Sequence, residues 1–317
     1  MDLPAVITSS STPAEEASAV SAFAQAEKAD ATRRAYRSDF ELFTTWCHVC
    51  RNVEALGASP ETVAAFLAGQ ASAGVKSSTL TRRLAAIGYA HRLAGLPSPT
   101  THEAVRAVLR GIRRKMGTAP AQKAPATAER VAAMLAAIPA DTLQGKRDRA
   151  LLLLGFAGAF RRSELVALEV ADLAFEPDGM RVRVRRSKTD QDGQGQEIAI
   201  PRGTKLRPVA AVQDWIKTAG IASGPLLRRV DRHGKVRGAL TPQSVALVVK
   251  RHADQAGLDP GAFAGHSLRA GFLTSAAEAG ADALRMMEVS RHRRVETVAG
   301  YVRRGNLFRG HAGTAFL

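Results

Sequence analysis

Near the end of the 317-residue chain, Gly265-His266-Ser267-Leu268-Arg269 is followed by Ser290-Arg291-His292 and then by Tyr301. Two imidazoles, a guanidinium and a phenol are the groups needed to hold a phosphodiester and attack it. A tyrosine hydroxyl forms a covalent ester with phosphorus when preorganised donors stabilise the charge that develops on the phosphoryl oxygens. Each residue alone has a plainer reading. A tyrosine near a C-terminus is commonly a half-buried packing residue, a lone histidine a satisfied structural group, and a lone arginine a solvated charge. Their joint spacing points elsewhere. His266 and Arg269 are three apart and share a face once a helix begins near Ser267. His292 follows Arg269 by 23 residues and Tyr301 follows His292 by 9, a composite that chance rarely supplies.

Two further groups lie upstream. Gly158-Ala159-Phe160-Arg161-Arg162-Ser163-Glu164-Leu165 falls at the junction of two helices, where an arginine can reach inward to an anion. Arg161 is the candidate, Arg162 its rival with a surface charge as the plainer reading, and Glu164 either supports the fold around them or caps its own helix. Lys188, in Arg186-Ser187-Lys188-Thr189-Asp190, lies at the tip of a predicted hairpin. Loops often carry catalytic groups, although a lysine in a turn is ordinarily solvated.

The elements that would position these groups follow from periodicity. Residues 1–18 are rich in Ser, Thr, Ala and Pro and read as a flexible tail. Residues 19–117 read as consecutive helices with no strand. Asp30 is placed to cap a helix bearing Tyr36, Phe40, Phe43 and Val49; Ser59-Pro60-Glu61 is a start signal; further helices run over about 77–95 and 102–116. The segment 118–127, which carries two prolines and follows Gly117, is the expected linker. In 128–317, Thr127 is placed to cap a helix containing Val131, Met134, Leu135 and Ile138, and an apolar helix runs through Leu154. Met180-Arg-Val182-Arg-Val184 and Glu197-Ile198-Ala-Ile200 then alternate about the turn-forming Asp190 to Gly195, predicting a small antiparallel sheet. Helices resume over about 205–218, 242–255, 267–279, 281–289 and 295–302. The expected fold is mainly α: an all-helical first domain and a mixed α+β second one.

Composition narrows the partner. With 45 Lys+Arg against 29 Asp+Glu, the net charge is +16, which points to a polyanion, most simply nucleic acid. The longest apolar run, Leu151 to Phe160, has ten residues, short of the roughly 20 that span a bilayer, and no secretory or lipid-anchor signal is visible. A cytoplasmic protein meeting nucleic acid directly, with no membrane and no small-molecule substrate, is expected. Cys47 and Cys50 are the only cysteines; with no second ligand pair at a suitable spacing they read as ordinary helix packing rather than a zinc or redox site.

The order Arg161, Lys188, His266-Ser-Leu-Arg269, His292, Tyr301 resembles the signature of the tyrosine recombinase, or phage integrase, family. The resemblance spans both domains. Ala31-Thr-Arg33-Arg34-Ala-Tyr36, Lys76-Ser-Ser-Thr-Leu80 and His91-Arg-Leu-Ala-Gly-Leu-Pro97 are similar to the SAM-like core-binding domain of Cre-like recombinases. It implies a metal- and ATP-independent strand transfer on double-stranded DNA carrying paired recombination sites. Tyr301 would attack to give a 3′-phosphotyrosyl intermediate, and two such exchanges would pass through a Holliday junction. Arg161 and Arg269 would grip the scissile phosphate and His292 donate to it, Lys188 would protonate the leaving oxygen, and His266 would move the tyrosine proton, with Glu164 in support. Arg33, Arg34, Arg37, Lys76, Arg82 and Arg83 would contact DNA. A homotetramer is implied, with the 16 residues after Tyr301 either docking into a neighbouring subunit or packing in cis. The chain departs from the family before His292, where Val289-Ser290-Arg291 replaces the usual Leu-Gly. A type IB topoisomerase, which shares the resembled catalytic set, and a non-catalytic DNA-binding relative are the alternatives.

Overall fold

A computed structural model of the chain describes residues 27–118, 122–185 and 195–305, within two compact units that divide between residues 121 and 122. The expected tail, Lys188 and the residues after Gly305 lie outside the described residues.

The first unit is built from helices α1 (Asp30–Arg51), α2 (Pro60–Ser72), α3 (Ser77–Leu93) and α4 (Glu103–Met116). Ser59 caps α2 by accepting from the Thr62 amide (3.3 Å), with Pro60 at the first helical position, where its missing N–H has no consequence. His102 caps α4, its Nδ1 accepting from the Ala104 amide (3.3 Å). The expected cap of α1 is displaced by one residue. Ala29 holds the cap position and Asp30 lies in the first turn, where its carboxylate is taken by Arg33. The core joins Phe43, Val63, Phe66, Leu67, Leu80, Ile87 and Val105, with Phe43 and Phe66 meeting edge to face at 5.0 Å. Cys47 is buried in this core and Cys50 is exposed.

The second unit surrounds α6 (Leu143–Ala157), a helix whose residues Ala150 to Phe156 are all buried. Around it lie α5 (Ala128–Ala136), α7 (Arg162–Ala167), α8 (Pro208–Thr218), α9 (Pro242–Gln255), α10 (Ser267–Glu278), α11 (Ala283–Ser290) and α12 (Val295–Gly305). Strands β1 (Leu173–Phe175), β2 (Gly179–Val184) and β3 (Gln196–Pro201) form an antiparallel sheet in that order. Its register sets Val182 opposite Ile198 and Met180 opposite Ile200, so the buried alternates face the core while Arg181 and Arg183 face out. A second hairpin, β4 (Arg228–Val230) and β5 (Val236–Ala239), was not expected. Its strands are too short and charged to alternate. Asp231 organises its turn instead, accepting from the His233 and Lys235 amides (2.9 and 3.0 Å).

The segment before α5 is tied to α10. Ala124 and Ala126 donate to the Ala262 and Ser267 carbonyls (2.8 and 2.9 Å), so part of the expected linker belongs to the second unit's core. Thr127 makes no capping bond with its side chain; Ser275 of α10 accepts from the Ala128 amide instead (2.9 Å). Gly271 makes this approach possible, since a Cβ there would lie 1.8 Å from the Ala126 carbonyl oxygen. Among the described residues no helix is long and apolar enough to cross a membrane.

Candidate active site

The site is organised by a sharp turn. Helix α6 ends at Ala157, and Gly158-Ala159-Phe160 turn the chain into α7 with Ala159 at φ 45°, a left-handed conformation uncommon for a residue with a side chain. Phe160 is buried at its apex. The two carbonyls exposed by the turn are claimed from far along the sequence. Arg269 Nη1 donates to the Ala159 carbonyl (2.7 Å), and Arg291 donates to the carbonyls of Gly158 (3.0 Å) and Ala159 (3.2 Å).

Arg161 emerges directly after this turn. Its Nη1 donates to Glu164 Oε1 (2.6 Å), and its backbone amide donates to Oε2 of the same carboxylate (3.0 Å). Glu164 also takes Arg291 Nη2 (2.9 Å), so one buried carboxylate orients two guanidiniums and caps α7. Glu164 thus both caps α7 and ties Arg161 to Arg291. Burial pushes its pKa up, but Arg291 and Arg161 outweigh this and hold the carboxyl below its ordinary value. Arg162 is exposed and plays no part in this network.

Arg269, on the first turns of α10, is fully buried. Its Nη2 donates to His292 Nε2 (3.0 Å), while its Nε is buried without a hydrogen-bond partner among the described residues. Burial first, then the neighbouring charges of Arg161 and Arg291, push its pKa down to about 9. A guanidinium donates and never accepts, so the neutral His292 ring carries its proton on Nδ1. That proton goes to Ser290 Oγ (2.8 Å), whose own hydrogen goes to the Met286 carbonyl (2.6 Å). His292 thus accepts from Arg269 here, whereas the resemblance gave it the part of a donor to the phosphate. Burial, Arg269 and Arg161 together push its pKa down to about 4. His266, immediately before α10, reaches solvent, yet its pKa is also lowered by desolvation and by the charges of Arg269 and Arg161.

Tyr301 lies on α12, half-buried against Leu273, Ala277, Met286 and Val298. It is near enough to Arg269 that its ionised form would favour the arginine's charge. Arg161, His266, Arg269, His292 and Tyr301 therefore converge on one place. Three guanidiniums there face one carboxylate, leaving an excess of positive charge and, among the described residues, two unused donors, Nε of Arg269 and Nε of Arg291, a combination suited to an anion. Sequence reasoning missed Ser290 and Arg291 as parts of the site. Arg291 stands among basic neighbours and reads as a solvated charge, and its only signal was the departure from Leu-Gly.

The proposed DNA contacts in the first unit separate by environment. Arg34, Arg37 and Lys76 are exposed, and Arg33 pairs with Asp30. Arg82 is exposed but makes a two-pronged bond to the buried Asp39 (2.7 and 3.1 Å). Arg83 departs from expectation: its side chain is 13% exposed and is held between Asp39 and Gln70, the environment of a brace.

The phage integrase family model matches residues 126–306, and the phage integrase N-terminal SAM-like domain matches residues 13–94. The chain belongs to the phage integrase family. It is 41% identical over 291 residues to an integrase/recombinase XerD homolog of Selenomonas ruminantium, covering 90% of this chain and 85% of that protein. It is 27% identical to the Cre recombinase of Escherichia phage P1, covering 82% and 80%. In fold it is similar to a lambda integrase dimer bound to a COC′ core site, with a TM-score of 0.63, 17% identity and 89% and 74% coverage. The Tn1549 transposon integrase in complex with transposon right end DNA gives a TM-score of 0.62 at 17% identity, covering 91% and 96%.

Proposed function

We propose that this family member is a site-specific recombinase that breaks and rejoins double-stranded DNA through a phosphotyrosine. The observation that carries the reading is the buried Arg269 guanidinium, with its unused Nε, beside Arg161, both histidines and the helix bearing Tyr301. Arg161 and Arg269 bind the non-bridging oxygens of the scissile phosphate, supplying the charge stabilisation that a metal supplies in other phosphoryl-transfer sites. The Tyr301 hydroxyl oxygen forms the new bond to phosphorus and the bond to the 5′ oxygen breaks. His266 takes the phenolic proton and Lys188 protonates the departing 5′ oxygen. His292 holds Arg269 by accepting at Nε2; in its other neutral tautomer, with the Ser290 hydroxyl donating to Nδ1 and the proton on Nε2, it gives up that bond and donates to a phosphoryl oxygen. The ester keeps the energy of the phosphodiester, so a 5′-hydroxyl from a partner strand reverses the step without ATP.

Exchange between two sites through a Holliday junction, by a homotetramer acting in the bacterial cytoplasm on a mobile element's DNA, completes the proposal. A pool of nicked duplexes with a randomised centre, from which cleaved strands cannot be religated, provides the test. Strands that become covalently attached to the wild-type protein are recovered and sequenced, and the selected duplex is used thereafter. Wild type forms an adduct and Tyr301→Phe forms none; a pool yielding no wild-type adduct overturns the reading. Transfer of the captured strand to a second duplex, rather than relaxation of supercoils, separates recombination from topoisomerase action.

A further inference from the structure

The most heavily constrained side chain around the site belongs to a residue with no part in the chemistry described above. Arg291 closes α11 with φ 58° and ψ 41°, a backbone conformation in which glycine is favoured and a residue with a side chain is disfavoured. It is nevertheless 4% exposed. Its guanidinium donates to Gly158, Ala159 and Val289 carbonyls and to Glu164, and lies over the Phe160 ring at 4.9 Å from its centre. A backbone conformation so disfavoured and a charge so deeply buried persist only where the surroundings over-determine them.

The contacts divide into two sets that converge on the phosphate-binding pair. Through Glu164, Arg291 fixes the carboxylate that holds both the side chain and the amide of Arg161. Through the Ala159 carbonyl it shares the acceptor that orients Arg269. Its own backbone then delivers the next residue, His292, to Arg269 Nη2. We propose that Arg291 is a positioning residue for strand cleavage, locking the Gly158–Phe160 turn so that Arg161, Arg269 and His292 are held in register around one phosphate. The proposal rests on the phosphotyrosine reading but concerns a different residue. Glycine would satisfy the backbone at this position; the arginine adds a tie between two segments 127 or more residues apart.

The variant that isolates the guanidinium is therefore Arg291→Gly, which keeps the left-handed turn comfortable and leaves a guanidinium-shaped space beside Glu164. Adduct formation is followed in single turnover, with protein saturating the duplex selected by wild type, so that the rate constant describes the folded, bound molecules alone. Arg291→Gly is expected to slow that constant by about 100-fold, the scale of a misplaced reacting group, while DNA affinity stays within a few-fold. Millimolar guanidinium ion should restore part of the rate, which a purely stabilising role does not predict. Should the glycine variant not accumulate as folded protein, Arg291→Lys carries the same comparison, retaining the charge but lacking the fork that reaches several acceptors at once. A rate constant equal to wild type in either folded variant, with only the melting temperature lowered, overturns the proposal. Absence of adduct from wild type would instead overturn the phosphotyrosine reading.

Discussion

His266 and His292 stand beside Arg269 and Arg161, and the environment opposes a proton on either ring. Both histidines have folded-state pKa values below the ordinary 6.5, that of His292 at about 4. A proton is therefore less stable on either ring than on a free histidine, and the neutral ring is the form in which His266 accepts the tyrosine proton. The rate of adduct formation at sub-saturating protein, which reports free-enzyme ionisations, should have its acid limb centred below 6.5, the value of an unperturbed histidine. An acid limb centred at or above 6.5 would remove the neutral histidines from the mechanism. The carboxylate beneath them acts in the same direction. Glu164 also has a lowered folded pKa, so its stabilising contribution is complete above the unfolded value of 4.5 and is lost only as pH falls through the folded one. Loss of the scaffold thus begins at lower pH than ordinary histidine protonation and would not produce a limb near 6.5.

At the scale of elements, α10 joins the site to the rest of the second unit. His266 immediately precedes it and Arg269 lies on its first turns, while its opposite side receives Ala126 against Gly271. Gly271→Ala would force a methyl to 1.8 Å from the Ala126 carbonyl oxygen, which is backbone and cannot swing aside. The segment carrying Ala126 must move, with loss of the Ala126 to Ser267 hydrogen bond and of the Ser275 cap on α5. A destabilisation of about 1–3 kcal/mol is expected from the overpacking, read as a lower denaturation midpoint with an unchanged m value. A midpoint equal to wild type would show that this approach is looser than the geometry requires. The sequence carried much of this architecture because its elements have local causes. Pro60 and Ser59 start α2, and the Met180 to Val184 alternation marks β2. The core-facing apolar run identified α6. Other features depend on partners distant in sequence. Thr127 looks like a cap, yet Ser275 supplies the bond from α10; β4 and β5 pair charged segments with no periodic signal. The site divides in the same manner: Arg161, His266, Arg269, His292 and Tyr301 were legible by type and spacing. Arg291 and the Ser290 relay were not, since their meaning lies in carbonyls and a carboxylate 127 or more residues away and in a ring tautomer.

Over the whole molecule, a net charge of +16 makes attraction to a polyanion long-ranged, but only cations free to meet phosphates convert it into affinity. The first unit contains both kinds. Arg34, Arg37 and Lys76 are exposed, whereas Arg83 is enclosed between Asp39 and Gln70. Charge alone would give all four the same effect on DNA binding; their environments predict different ones. Each phosphate contact releases condensed counterions and contributes about 0.9 to the slope of log affinity against log salt concentration. Replacing Arg34, Arg37 and Lys76 together with alanine should reduce the magnitude of that slope by about 3 on a random-sequence duplex, with little change in melting temperature. Arg83→Ala should do the reverse, since it leaves the buried Asp39 with one fewer cation: the melting temperature falls and the salt slope is retained. Titrations over a series of salt concentrations, paired with thermal unfolding of the same samples, measure both effects. A slope unchanged in the triple variant would move the DNA-facing surface of the first unit away from the start of α1 and the residue preceding α3.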